Sequence, residues 1–228
     1  MRISELYADS PVRGADVVII GSGPSMTVFP VEMLRGRVCI TLNDTHKYLP
    51  EWVGPISFSN ALQWAEPSSD GIRIRIVKGR YRHQKHGPGP ERTDNHVAWD
   101  HPRYHVFSYR EPPWDERSHF DLESLWAEPD FYWNVKNGNV SIFAMQFAIL
   151  AGARSMTMVG CDCMELEGKP YLDGKKQRSF VKRNFGAYLK GMMTMSREAH
   201  NRGIPVVTMS PFVGLQSFPM QWRQMKEW

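Results

Sequence analysis

The sequence VVIIGSGPS, residues 17–25, decides the fold of this chain. Four successive apolar residues indicate a strand that is buried on both faces, as in a parallel sheet. Gly21 and Gly23 then form a turn in which the backbone can take positive φ and lie against a ligand. Ser25 stands where the next helix is expected to begin, beside free backbone N–H groups. The pattern is typical of a phosphate-binding turn, although tight strand-to-helix turns without a ligand also favour glycine.

The complete dinucleotide fingerprint has a third glycine, which lets the helix and the strand pack closely beneath a pyrophosphate. Met26 occupies that position here, and Pro24 restricts φ in the first helical turn. We therefore interpret the turn as nucleotide-binding and leave the identity of the nucleotide open. The candidate nucleotide-binding residues of the turn are Gly21, Ser22, Gly23 and Ser25.

The bulk properties favour one soluble globular domain. The 228 residues, 42% of them hydrophobic, suffice for a full core, and no apolar run approaches the roughly 20 residues of a membrane span. Residues 1–10 lack the basic and apolar regions of a secretory signal, so we expect a cytoplasmic protein. Cys39, Cys161 and Cys163 are expected to be reduced, and their spacing predicts no metal site.

Strands and helices alternate along the chain, which predicts an α/β fold: a single Rossmann-like, doubly wound, mostly parallel sheet within residues 1–228. The alternating arginines and isoleucines of residues 71–78 place that strand at or near a sheet edge. The predicted strands are residues 17–20, 37–43, 55–59, 71–78, 156–159 and 204–209, and the predicted helices are residues 26–35, 140–151 and 180–202.

Polar residues follow several of these strands, at the edge where open α/β sheets bind ligands. Asn43 and Asp44 follow the second strand and Asn60 follows the third, so they are candidates for contacts to a base or ribose, or for turn caps. Asp162 follows the strand at 156–159 and is the first catalytic candidate, with a structural cap as its alternative. His46 is the second catalytic candidate, because an imidazole titrates near neutral pH.

Residues 79–134 are predicted to be an aromatic and basic insertion, or lid, over the strand ends. Residues 73–92 carry seven Lys or Arg against one acid, which suits phosphates of a nucleotide or of a nucleic acid but is also typical of a solvated loop. The net charge of +4 does not decide between these. Four further histidines are general-base candidates, with no spacing that selects one: His96, His101, His105 and His119.

Three segments together resemble the sialyltransferase-like superfamily. They are the GSGPS turn, Asn43 at the end of the second strand, and the pattern LAGA (150–153), Val159-Gly160 and Asp162. That superfamily includes bacterial single-domain sialyltransferases and the group related to the archaeal hydroxymethylpterin diphosphokinase, known as domain of unknown function 115. The resemblance covers residues 15–62 and 137–211. By position it implies nucleotide contacts from Ser22, Gly23, Ser25, Asn43, Asn60, Asn137, Gly138 and Asn139.

The sequence also departs from the sialyltransferase pattern. Those enzymes place tyrosines and then a histidine base after the Gly-x-Asp turn. Here the resemblance implies one phosphate contact, from Tyr171, and no histidine lies between Asp162 and His200. Lys176 and Arg178 belong to a basic run that offers charge for a diphosphate leaving group, or a solvated surface.

The sequence thus predicts a transferase that moves a glycosyl group from a nucleotide-activated donor, without a tightly bound cofactor or metal. Pyrophosphate transfer from ATP, which would need Mg²⁺, is the main alternative. A flavin or NAD oxidoreductase and a non-catalytic nucleotide-binding protein are further alternatives. The acceptor is open, and residues 73–92 make nucleic acid one candidate. The sequence does not predict the oligomeric state.

Overall fold

An all-parallel sheet flanked by helices forms the framework of the protein. The computed structural model describes residues 3–59, 74–78, 105–110, 131–133, 139–162 and 185–209. The strands are β1 (Asp16–Ile20), β2 (Val38–Leu42), β3 (Ile56–Ser59), β4 (Ile74–Lys78), β5 (His105–Arg110), β6 (Phe131–Trp133), β7 (Ser155–Val159) and β8 (Val206–Thr208). The α-helices are α1 (Val140–Leu150) and α2 (Phe185–Asn201), and short 3-10 helices span Ile3–Leu6, Pro24–Thr27, Val31–Leu34 and Thr45–Tyr48.

The strand order is β6-β5-β4-β3-β2-β1-β7-β8, and every neighbouring pair is parallel. The chain runs outward from β1 to β6 in one direction, then returns to place β7 against the other side of β1. The order therefore reverses between β1 and β7, the kind of position where open α/β sheets bind ligands. This confirms the predicted α/β class with a doubly wound parallel sheet.

The apolar run at residues 17–20 forms β1 because both faces of that strand are covered. Val17 and Ile19 belong to the larger core cluster, which includes α1. Val18 and Ile20 point to the other face and belong to a smaller cluster. A strand that is buried on both faces has apolar residues at every position, whereas a strand with one exposed face alternates apolar and polar residues.

Helix α1 is the centre of the larger core, since all eleven of its residues are buried. It lies against β1, β2 and β3, and α2 packs on it. The Asn139 side chain accepts a hydrogen bond from the Ser141 N–H (3.0 Å), and Gly152, at φ +75°, follows the helix end. Both signals agree with the predicted helix. Because α1 leads into β7 through a short turn, its N-terminus lies at the carboxyl edge of the sheet.

Three expectations about these elements are wrong. The helix expected at 26–35 is two 3-10 helices, and Pro30, which lacks an N–H, stands between them. Strand β4 is an interior strand between β3 and β5, so its alternating arginines do not mark an edge. The range 79–134 is not wholly an insertion, because β5 and β6 within it extend the sheet. Their sequences lack apolar alternation; β5 is defined by its pairing with β4, and β6 by its pairing with β5.

Replacing Phe147 tests whether α1 organises the core. Phe147 is fully buried, and its ring centroid lies 5.9 Å from that of Tyr7 and 6.0 Å from that of Phe58. We expect Phe147→Ala to lower the free energy of unfolding by about 3–5 kcal/mol in urea titrations, because it opens a cavity. Val28→Ala, at a side chain 71% exposed, is the control and should change it by less than about 0.5 kcal/mol. Equal effects would contradict the central role of α1.

Candidate functional site

The loops that follow β1 and β7 lie side by side at the point where the strand order reverses. The Gly21 N–H donates to the Val159 carbonyl (2.8 Å), and the Gly23 N–H donates to the Gly160 carbonyl (2.7 Å). These bonds continue the pairing of the two strands beyond their ends. The two loops therefore form one hydrogen-bonded unit at the carboxyl edge of the sheet.

Asp162 joins this unit to the start of the 3-10 helix Pro24–Thr27. One carboxylate oxygen accepts from the Ser25 N–H (2.6 Å) and the other from the Ser25 hydroxyl (2.5 Å). Asp162 is 2% exposed, and burial raises the pKa of its carboxyl although both bonds from Ser25 lower it. A carboxylate thus occupies the place beside Ser25 where the sequence predicts a phosphate. Of the two alternatives for Asp162, this geometry favours the structural cap.

The glycines of the two loops are required by their mutual approach. A Cβ on Gly21 would lie 2.3 Å from the Gly160 carbonyl oxygen, and one on Gly23 would lie 2.5 Å from Asp162 Oδ2. Gly160 has φ +63°, whereas Gly23 has φ −67° and Gly21 is not in the positive-φ region either. Gly21 and Gly23 therefore do not use the positive φ that glycine permits. The close contact between the loops by itself requires glycine at both positions.

Alanine at Gly23 tests this account of the turn. Its Cβ would also lie 2.6 Å from the Gly160 carbonyl oxygen, so Gly23→Ala should lower the free energy of unfolding by about 1–3 kcal/mol. Gly186→Ala is the matched control, because no atom lies within 4 Å of its Cβ position in α2, and it should be neutral or slightly stabilising. Denaturant titration measures both. Unchanged stability in Gly23→Ala would show that the loops separate easily.

Removing the Asp162 carboxylate tests the cap. Asp162→Ala removes the two buried hydrogen bonds that the Ser25 N–H and hydroxyl donate to the carboxylate, so we expect a loss of unfolding free energy on the order of 3 kcal/mol. Asp162→Asn keeps an acceptor for the N–H and should lose clearly less. Chemical denaturation measures the two losses. If both variants kept wild-type stability, the Asp162–Ser25 pair would not be a structural link.

A second group of polar atoms follows β2. Asn43 has φ +51°, the one positive φ that a non-glycine residue takes in the described ranges. Its N–H donates to the Phe58 carbonyl (2.8 Å), and its own carbonyl oxygen accepts from His46 Nδ1 (3.1 Å) and from the Ser59 hydroxyl (3.4 Å). Non-glycine residues held in this backbone region cluster at functional sites. The left-handed backbone conformation of Asn43 directs its carbonyl oxygen toward the His46 ring.

The tautomer of His46 follows from this contact. A carbonyl oxygen only accepts, so Nδ1 carries the hydrogen and Nε2 of the neutral ring has a free lone pair. His46 is 6% exposed, and burial lowers its pKa below 6.5, partly offset by the bond to Asn43; the charges of Lys47 and Arg75 lower it further and that of Asp44 raises it. The ring is thus neutral at pH 7. Nε2 is buried, and no group in the described part of the chain bonds to it.

Some of the other candidate residues lie in the described part of the chain, and the rest lie outside it. Ser22 is half-buried in the β1 loop, Asp44 precedes the 3-10 helix Thr45–Tyr48, and Asn139 caps α1. Among described residues, the Ser141 hydroxyl in the first turn of α1 is also buried without a partner. Outside the described residues lie Asn60, Tyr171, Lys176, Arg178, Asn137, Gly138, His96, His101, His119, and all of the basic segment 73–92 except residues 74–78.

Sequence reasoning missed a polar row across the middle of the sheet. Thr41, Ser57 and Arg75 are partners in register on β2, β3 and β4. Their neighbours Ile40, Ile56 and Ile76 belong to the core around α1, so the row lies on the opposite face. Serine alternating with apolar residues in PISFS (55–59) was the available signal.

The remaining findings concern thiols, metals and membranes. Cys39 and Cys161 are buried free thiols, and burial raises the pKa of Cys39 to about 12. Within the described ranges, no three His, Cys, Asp or Glu side chains are grouped to hold a metal ion, and neither α-helix is long and apolar enough to cross a membrane.

Comparison with known protein families finds no matching family model, and no curated protein matches the sequence.

Proposed function

We propose that this protein is a transferase that binds a nucleotide-activated donor at the carboxyl edge of its sheet. In this proposal His46 takes a proton from the acceptor. The observation that carries the proposal is the buried, neutral His46 ring, whose Nε2 lone pair has no partner in the described residues. The transferred group is proposed to be a glycosyl group, on the basis of the resemblance to the sialyltransferase-like superfamily.

The position of His46 supports a ligand site. It follows β2, directly beside β1 and the reversal of strand order, where doubly wound sheets bind ligands. The Ser141 hydroxyl, at the N-terminus of α1, stands at the same edge of the sheet. In the described part of the chain, both His46 Nε2 and Ser141 Oγ are buried and unpartnered. Buried polar atoms without partners are rare in native proteins, and a ligand that bonds to them is one explanation.

The geometry suits general base catalysis. An acceptor hydroxyl would give its proton to Nε2 as its oxygen attacks the transferred group. The bond between that group and the donor phosphate breaks, and the phosphate leaves with the electron pair. The Nδ1 hydrogen bond to Asn43 holds the ring in the required tautomer.

Nucleotide screening and one substitution test the proposal. Thermal shift with CMP, UDP, GDP, NAD and ATP with Mg²⁺ should identify a nucleotide that raises the midpoint of unfolding, since binding to the folded state stabilises it. With the corresponding donor, His46→Gln should reduce kcat by about 10²-fold or more and change affinity only a few-fold. His200→Gln, at an exposed histidine at the end of α2, is the matched control and should retain activity. A response to ATP alone would favour pyrophosphate transfer.

The pH profile gives an independent readout. The wild-type kcat/KM should rise with pH through the His46 pKa and level off by neutral pH, because burial holds that pKa below 6.5. His46→Gln should lack this acidic limb. If no nucleotide stabilises the protein, or if His46→Gln turns over at the wild-type rate, the proposed function is wrong.

A further inference from the structure

The polar row on β2, β3 and β4 contains two groups that nothing in the described structure satisfies. Ser57 is fully buried, and its hydroxyl has no hydrogen-bond partner among the described residues. Arg75, its partner in register on β4, has its Nε buried and equally unpartnered. Register partners on adjacent parallel strands point their side chains to the same face. Two unpartnered donors therefore stand next to each other on the face opposite α1.

The charge of Arg75 strengthens this observation. Burying part of a guanidinium is costly unless an anion compensates it. In the described residues, Arg75 makes no ion pair, whereas the exposed Arg35 and Arg154 pair with Glu32 and Asp16. Arg75 as a whole is half-buried, and its Nε is removed from water without a partner in the described residues. A bound anion would accept from this N–H and offset the charge.

The charge of Arg75 also acts on the His46 ring and lowers its pKa. The glycine turn after β1 has its Ser25 N–H and hydroxyl bonded to Asp162. The Ser57 hydroxyl and the Arg75 Nε, by contrast, have no partner among the described residues.

We infer that Ser57 and Arg75 bind an anionic group of the substrate, the phosphate of the nucleotide donor, on the face of the sheet opposite α1. Arginine and hydroxyl donors match phosphate oxygens, and a charge-assisted bond is stronger than a neutral one. The inference rests on the proposed function for the identity of the ligand. The oxyanion site itself rests on the row alone.

Inorganic phosphate is the probe, in thermal unfolding of the full chain at constant ionic strength set with chloride. Phosphate at about ten times its Kd should raise the wild-type midpoint by about 3–5 °C. Ser57→Ala and Arg75→Gln should each lose this response. Arg197→Gln, at an exposed arginine on α2, is the matched control and should keep it. Acetate, tested in parallel, distinguishes a carboxylate site from a phosphate site, and a larger response to acetate would overturn the phosphate assignment.

The midpoint of thermal unfolding, measured without phosphate, distinguishes an arginine that binds a ligand from one that stabilises the fold. Arg75→Gln removes an uncompensated charge, so it should be as stable as the wild type or more stable. A clear drop in its midpoint, or an unchanged phosphate response in either variant, would overturn the inference.

His46→Gln should keep the phosphate response, because Nε2 accepts rather than donates. The phosphate test and the turnover test can therefore fail independently of each other. Loss of the response in Ser57→Ala and Arg75→Gln, with His46→Gln still responding, supports the inference whatever group is transferred.

Discussion

The hydrogen bonds between Asp162 and Ser25 hold together the two loops on which the carboxyl edge depends. They connect the ends of β1 and β7 at the place where the strand order reverses. The contact is close enough that residues 21 and 23 must lack side chains. Packing between two loops of the same chain is therefore sufficient to require the glycines of a Gly-Ser-Gly-Pro-Ser turn that suggests phosphate binding. The same residue types serve either purpose, since both need a backbone that approaches another group closely.

In the glycine turn, Ser25 is bonded to Asp162, and the proposed chemistry lies beyond β2 instead. The left-handed Asn43 presents its carbonyl to the His46 ring, and that contact sets the tautomer. The proposed base is thus oriented by a main-chain oxygen rather than by a carboxylate. Orienting an imidazole with a main-chain oxygen requires a particular backbone conformation but no particular second side chain. No sequence motif therefore indicates this arrangement. The buried Ser57 and Arg75 nearby are likewise defined by strand register.

The sequence predicted the elements whose burial is set locally. The apolar run at 17–20 and the Asn139 cap of α1 each specify their structure within a few residues. It failed where pairing between distant segments decides: β5 pairs with β4, β6 pairs with β5, and Arg75 lies on an interior strand because β5 covers the outer edge of β4. Asp162 was placed correctly at the strand end, but its partner is 137 residues away. His46 was chosen from the sequence because it is a histidine. The groups that surround its ring could be identified only from the fold.

The parallel pairing of β1 with β7 also bears on the order of folding. β2 follows β1 after residues 21–37, but the other neighbour of β1 comes much later: Asp16 and Ser155, which are hydrogen-bonded, are 139 residues apart. Closing so long a loop is entropically costly, and such non-local contacts form slowly. On the ribosome, β1 must wait with one edge unpaired until most of the chain has been synthesised. The two loops at the carboxyl edge can therefore reach their native arrangement only after β7 has been synthesised.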